Sequence, residues 1–84
     1  MIEVEVFSKA DCHLCDEAKE TLKNIQQKHL FDLRIHLLKE GDERFEEFKE
    51  RFPVIMVNKE FEFCYRVNEM QFLSALRKVK KLSP

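Results

Sequence analysis

The chain has 84 residues, of which 44% are hydrophobic and 37% are charged, as expected of one small domain with a charged surface. Its formal net charge is -1, and no basic stretch is interleaved with aromatic residues, which argues against a nucleic-acid-binding protein. No apolar run approaches the roughly 18 residues of a membrane span, and the acidic N-terminus is unlike a signal peptide. We expect a single domain over residues 1–84, cytoplasmic and monomeric, with no membrane or nucleic-acid partner.

The first third of the chain predicts a strand, a helix and a second strand. Residues 2–7 alternate between apolar residues and glutamate before ending in phenylalanine, and this period of two is typical of a strand. From Asp11, the predicted N-cap, apolar residues follow at helical spacing to about Lys28. Residues 32–37 then alternate again, which predicts the second strand.

A short acidic helix should come next. Gly41 and Asp42 open it, and its buried side would carry three phenylalanines, Phe45, Phe48 and Phe52. Pro53 then starts a strand over residues 54–57, which are all apolar. This strand is expected to lie inside the sheet.

The last third of the chain predicts a hairpin and a helix. Asn58 and Lys59 can form a tight turn, and residues 60–65 return as the partner strand. That strand would place three aromatic residues on one face, Phe61, Phe63 and Tyr65. Asn68, with Gln71 three residues later, is a capping box for a final helix.

The predicted order is βαβαββα, an α/β fold. A βαβ unit followed by a ββα unit builds a four-stranded mixed sheet with helices on both faces, because the crossover is right-handed and each helix must bury its apolar stripe. The first turn between strand and helix then lies at the carboxyl ends of the parallel strands, where α/β proteins place their sites.

That turn contains a Cys-x-x-Cys pair, Cys12 and Cys15. A thiol at a helix N-terminus lies among unpaired backbone N–H groups and the positive end of the helix dipole, and both favour the thiolate. The second cysteine follows one turn later on the same side, where it can close a small disulfide. In a chain with an odd number of cysteines, three, the pair predicts a redox-active dithiol of a reducing compartment. The alternatives are two ordinary cysteines or half of a zinc site.

These features together resemble the thioredoxin-fold superfamily, and within it the glutaredoxin-like proteins, over essentially the whole chain. The run from Ser8 to Cys15 is similar to the glutaredoxin active-site sequence, including a lysine, Lys9, three residues before the first cysteine. Pro53 stands where the superfamily has a proline in the cis conformation beside the dithiol. The hairpin and the capped final helix follow at the spacing of a minimal glutaredoxin.

The resemblance implies a role for each residue around the dithiol. Cys12 would be the exposed nucleophile and Cys15 the more buried resolving thiol, and the pair would form a disulfide. Lys9 and His13 would lower the pKa of Cys12, since a nearby cation favours the thiolate. Ordinary surface positions are the alternative for both cationic residues.

The resemblance also implies that the Phe52–Pro53 bond is cis, so that the backbone of Phe52 meets a substrate peptide in a short β-augmentation contact. A simple strand start is the alternative for Pro53. The third cysteine, Cys64, is either an apolar packing residue or a third redox-active thiol near Pro53.

Glutaredoxins hold glutathione partly with a glycine pair and an aspartate after the last strand. Residues 63–68 of this chain read Phe-Cys-Tyr-Arg-Val-Asn, with neither glycine nor acid. The inner motif residues, His13 and Leu14, also differ from the common glutaredoxin pairs. Glutathione binding is therefore doubtful, and we expect no cofactor and no metal beyond the redox-active disulfide.

The predicted function is thiol–disulfide exchange with a protein disulfide or a small thiol, supported by a dithiol reductase system. Two other classes remain open: an iron–sulfur or metal carrier ligated by Cys12, and a binding module that keeps the fold without turnover. A single Cys-x-x-Cys offers too few ligands for a closed zinc site.

Two further features have simple surface interpretations. His29 and His36 are expected to be surface residues. The basic run at the end of the last helix, Arg77, Lys78, Lys80 and Lys81, is most simply a solvated helix end that complements the dipole. The alternative for this run is a docking patch for an acidic partner.

Overall fold

The computed structural model of the chain describes residues 1–82. Its elements follow the predicted βαβαββα order. They are β1 (Glu3–Lys9), α1 (His13–Gln26), β2 (Asp32–Leu38), α2 (Glu43–Phe48), β3 (Val54–Val57), β4 (Phe61–Cys64) and α3 (Glu69–Leu82).

The strands form a four-stranded mixed sheet in the order β2-β1-β3-β4. β1 pairs with β2 in parallel, whereas β1 with β3 and β3 with β4 are antiparallel. The parallel pair requires a crossover, which α1 provides, and the last antiparallel pair needs only a hairpin. The predicted minimal thioredoxin-like architecture is confirmed.

The core lies on both faces of this sheet because successive side chains of β1 point to opposite sides. Val4 and Val6 join the larger apolar cluster with residues of α1 and α3, including Leu22 and Phe72. Phe7, on the other face, belongs to a second cluster that α2 completes. Its buried members are Phe7, Cys15, Phe45, Phe48, Phe52 and Val54. The prediction of helices on both faces is therefore confirmed. Phe45 and Phe48 are buried on α2 as predicted, whereas Phe52, which is also buried, lies beyond the end of this helix.

The start of α1 differs from the prediction by one residue. Cys12, not Asp11, is the N-cap, with φ -113° and ψ 103°, and Asp11 itself has φ 54°. An aspartate tolerates this left-handed conformation better than most residues, so it serves as the turn that ends β1. β1 accordingly continues to Lys9, two residues beyond the predicted strand end.

The β3–β4 hairpin has the predicted turn. Asn58 and Lys59 both have positive φ, 49° and 60°, the combination of a two-residue hairpin turn that matches the twist of the strands. The Asn58 side-chain oxygen also accepts a hydrogen bond from the Glu3 N–H at 2.7 Å. The turn is therefore fixed to the beginning of β1.

Tyr65 does not share a face with Phe61 and Phe63, so this part of the prediction is wrong. β4 ends at Cys64, and Tyr65 has φ 70°, which breaks the alternation of the strand. Its hydroxyl donates a hydrogen bond to the Glu50 carbonyl oxygen at 2.9 Å, beyond the end of α2. The tertiary contact with Glu50 thus stabilises a backbone conformation that local sequence does not favour.

The predicted cap of α3 is confirmed at Asn68, whose side-chain oxygen accepts a hydrogen bond from the Gln71 N–H at 3.0 Å. Within α3, Phe72 is fully buried, and its ring lies between those of Phe31 and Phe63, at centroid distances of 5.6 and 6.4 Å. The cap and this aromatic contact place the helix against β3 and β4. Over residues 1–82, no helix is both long and apolar enough to cross a membrane.

His36 is half-buried rather than a plain surface residue. The β1–β2 register sets it opposite Phe7, and the two rings stack with centroids 4.8 Å apart. Its Nε2 atom lies 3.1 Å from a carboxylate oxygen of Glu5, a residue that is itself buried in the sheet. The strand pairing, which local periodicity does not reveal, creates both contacts.

Candidate active site

Cys12 and Cys15 lie where β1 ends and α1 begins, at the carboxyl end of the parallel strand pair. Their Cα atoms are 5.2 Å apart and their sulfur atoms form a disulfide. Cys15, on the inner side of α1, is fully buried, whereas Cys12 is half-buried and reachable from solvent. The two sulfurs therefore differ in accessibility, and only the first can be approached directly by a large substrate.

The backbone at the start of α1 is directed at the Cys12 sulfur. As the N-cap, Cys12 accepts a hydrogen bond on its Sγ from the Cys15 N–H at 3.2 Å. Its own carbonyl oxygen accepts the Asp16 N–H at 3.2 Å, the first bond of the helix. A donor and the positive end of the dipole at one sulfur stabilise negative charge there once the disulfide is reduced.

The second apolar cluster lies directly against the dithiol. Cys15 is one of its buried members, and Cys12 packs on its edge. Phe45 and Phe52 contact each other there with ring centroids 5.3 Å apart. The Phe52–Pro53 peptide bond is cis, and both residues are buried. This cluster keeps water away from the inner thiol.

Lys9 is brought to the same cluster from the end of β1. Its Nζ lies 5.8 Å from the centroid of the Phe52 ring, within the range of a cation–π contact, and the residue is half-buried. The sequence places Lys9 three residues before Cys12, and the fold joins it to Phe52 across a long stretch of chain. A cation is therefore fixed at the aromatic rim of the site.

His13 takes a different position from Lys9. Its side chain is 87% exposed, and its Nε2 lies 3.4 Å from a carboxylate oxygen of Glu17, one turn further along α1. The imidazole thus lies in solvent on the outer surface of the helix, outside the aromatic cluster.

The third cysteine, Cys64, packs against the second apolar cluster and is not part of the dithiol. Cys64 pairs with Val54 across the hairpin and packs against the second cluster, half-buried. Burial raises the pKa of its thiol above the ordinary value, the nearby Glu62 carboxylate raises it further, and the Arg51 guanidinium partly opposes them. A thiol with a raised pKa is a poor nucleophile near neutral pH.

A groove of about 420 Å³ runs along α1 beside the motif. One wall is α1, with Leu14 of the motif at its start and Glu17 further along, and the other is the segment Tyr65, Arg66 and Val67. Sequence reasoning did not identify this groove. Leu14, an apolar residue between the two cysteines, is the one local indication of this groove. The facing wall could not be predicted because its position depends on where β4 ends.

Within residues 1–82, no three or more histidine, cysteine, aspartate or glutamate side chains are grouped closely enough to hold a metal ion.

A four-stranded mixed sheet with a Cys-x-x-Cys pair at the first strand–helix turn defines a thioredoxin-fold protein with a dithiol motif. The model of the glutaredoxin-like domain family (DUF836) matches residues 3–77. The chain belongs to this family, and the match spans β1 to the middle of α3.

Proposed function

We propose that the protein is a thiol–disulfide oxidoreductase in which Cys12 is the nucleophile and Cys15 the resolving thiol. The observation that carries the proposal is the asymmetry of the pair. Cys12 is accessible and N-caps α1, whereas Cys15 is fully buried against the aromatic cluster. An attacking thiol must meet a large substrate, while a resolving thiol must meet only its neighbour.

The reaction conserves electrons in two exchanges. The Cys12 thiolate attacks one sulfur of a substrate disulfide, the substrate S–S bond breaks, and the departing sulfur leaves as a thiolate that takes a proton. Cys15 then loses its proton and attacks the Cys12 sulfur, which releases the second substrate thiol. The substrate gains two electrons, the protein keeps the Cys12–Cys15 disulfide, and an external dithiol donor reduces it again.

The neighbours of the pair have distinct proposed roles. Lys9, held over the Phe52 ring, adds positive charge beside the thiolate. The Phe52 ring is committed to the cluster, so its contribution to substrate would come from its backbone N–H and C=O, ahead of Pro53. His13 is exposed and paired with Glu17, which favours a smaller effect on the Cys12 thiolate than that of Lys9.

We further infer that glutathione is a poor substrate for this protein. Tyr65 has φ 70°, a conformation in which glycine carries no penalty, yet it bears a large side chain anchored to Glu50. Close approach of a ligand to this backbone is obstructed, and the residue that follows Tyr65 is the cation Arg66, while the carboxylates of the groove lie on the facing wall, α1, at Glu17 and Glu20. A dithiol donor, such as a thioredoxin-reductase-type system, is therefore the proposed reductant, and a protein disulfide or a small disulfide the proposed substrate.

Turnover of a protein disulfide tests the proposal. The wild-type chain should reduce insulin disulfides with dithiothreitol as the donor, faster than dithiothreitol alone. Cys12→Ser should abolish this gain, because no nucleophile remains. Cys15→Ser should accumulate a mixed disulfide at Cys12, detectable by mass spectrometry under non-reducing conditions.

Cys64→Ser is the matched control and should retain the wild-type rate. Mixed disulfides that accumulate on Cys15 in the Cys12→Ser variant would reverse the assignment of roles. No gain over dithiothreitol in the wild type would instead favour a binding module that lacks turnover.

A further inference from the structure

The end of the molecule opposite the dithiol carries a second groove. Ile2 and Cys12 lie beyond opposite ends of β1, whose seven residues span about 23 Å at roughly 3.3 Å each. Near Ile2, the loop that follows α1 and residues 73–80 of α3 come together around a groove of about 250 Å³. This groove is therefore separate from the redox site.

The groove has apolar walls and a basic rim. Its walls include Ile2, Leu30 and Leu73, and its rim includes Lys28, Arg77 and Lys80. Every ionisable side chain that lines it within the described part of the chain is basic, His29 included. Since the whole chain has a net charge of -1, a general excess of basic residues does not account for this grouping. We call this groove and its rim the basic pole.

Helix geometry explains only part of the basic pole. Basic residues near a helix C-terminus complement the negative end of its dipole, which accounts for Lys28 on the loop after α1 and for Arg77 and Lys80 on α3. The dipole does not account for Leu30, which is 80% exposed at the same place. Met1, which is 79% exposed, lines an adjoining cavity with Leu30 and Lys80, so the exposed apolar surface extends beyond one residue. An apolar patch bordered by charged residues is typical of an interaction surface.

We propose that the basic pole binds an acidic segment of a partner protein that carries an apolar anchor residue. The anchor would fill the groove over Ile2, Leu30 and Leu73, and carboxylates beside it would meet Lys28, Arg77 and Lys80. A concave groove of this size admits one side chain, which favours a peptide over the broad surface of a lipid bilayer. The segment would dock without covering Cys12, so the dithiol would stay open to its substrate while the partner is bound.

The test uses the full ¹⁵N-labelled chain and two short synthetic peptides, one of glutamate and leucine and one in which serine replaces each leucine. The glutamate–leucine peptide should shift the amide signals of Ile2, Leu30 and Leu73, and the serine peptide should bind more weakly. Lys80→Glu should weaken binding by about fivefold, since one exposed ion pair contributes up to about 1 kcal/mol. Added salt should weaken it as well.

Lys49→Glu is the matched control, because it makes the same charge change on an exposed lysine at the end of α2, outside the groove. Equal weakening by Lys49→Glu and Lys80→Glu would mean that only net charge matters, and would overturn the proposal. So would peptide-induced shifts confined to residues outside the groove. Binding to phosphatidylglycerol vesicles without binding to the peptide would assign the basic pole to a membrane surface instead. Circular dichroism of each variant establishes that it is folded.

Discussion

The Sγ atom of Cys12 accepts a hydrogen bond from the backbone N–H of Cys15 at 3.2 Å, so the first cysteine of the motif is also the N-cap of α1. One atom thereby serves two purposes, because it is the candidate nucleophile and it satisfies a helix N–H that would otherwise be unpaired. Redox chemistry at Cys12 and the stability of α1 are consequently linked.

This link predicts different stabilities for two substitutions under reducing conditions, where no disulfide contributes. Cys12→Ser should leave the free energy of unfolding near that of the wild type, because serine is a strong N-cap. Cys12→Ala should lower it by about 1 kcal/mol, because the cap is lost. Urea unfolding with excess reductant measures both, and equal stability of the two variants would contradict the capping role.

The environment of Cys64 predicts its reactivity. Burial and the Glu62 carboxylate raise the pKa of this thiol, so its thiolate fraction at pH 7 to 8 should be lower than that of an ordinary thiol. In a Cys12→Ser, Cys15→Ser background, alkylation by iodoacetamide should therefore be slower than that of free cysteine, and should increase as the pH rises.

Two variants separate the causes of the raised Cys64 pKa. Glu62→Gln should lower it and speed alkylation, because the neighbouring negative charge is removed. Arg51→Gln should slow alkylation, because the opposing positive charge is removed. If Glu62→Gln slowed the reaction, the proposed electrostatic cause would be incorrect.

The conformation of Tyr65 predicts how glutathione specificity could be changed. Tyr65→Gly should increase the rate with glutathione as the reductant, since it opens the backbone and removes the penalty of a positive φ. Tyr65→Ala removes the same ring but keeps the β-carbon, so its gain should be smaller. Rates with glutathione and dithiothreitol at matched thiol concentration measure the change. A wild-type protein that already prefers glutathione, with saturation, would refute the proposed weak binding.

Core packing predicts that alanine substitutions at two leucines differ clearly in their effect on stability. Leu22 on α1 is fully buried in the larger cluster, whereas Leu30 is 80% exposed. Leu22→Ala should lower the free energy of unfolding by about 2–5 kcal/mol, the usual cost of such a cavity. Leu30→Ala should change it by no more than about 0.5 kcal/mol. Urea unfolding of the two variants provides the comparison.

Local patterns were sufficient to predict the order of the elements. Strand and helix periods differ, and the residues that make each period are neighbours in the chain, as in the apolar run of β3 and the cap at Asn68. The hairpin turn was predictable for the same reason. Asn58 tolerates positive φ, and Lys59 is its neighbour in the two-residue turn.

Element ends that depend on distant contacts were predicted less well. Asp11 is the expected N-cap because helices prefer aspartate at this position. However, β1 extends to Lys9, and α1 therefore begins one residue later, with Cys12 as its N-cap. Alternation predicts that Tyr65 shares a face with Phe61 and Phe63, but its hydroxyl contacts Glu50, fifteen residues earlier in the chain. The sequence predicts a surface position for His36, but the β1–β2 register stacks its ring on that of Phe7.

The sequence by itself determined the motif of this protein and its family: the identity and spacing of Cys12 and Cys15, and their position between the first strand and the first helix. The family resemblance already implied that Cys15 is the more buried thiol, whereas tertiary structure alone decided that the Cys12 sulfur caps α1 and that Lys9 meets Phe52. The physical reason is separation along the chain. Spacing within one helix fixes the motif, whereas burial and charge at a sulfur depend on strands and helices that only folding brings together.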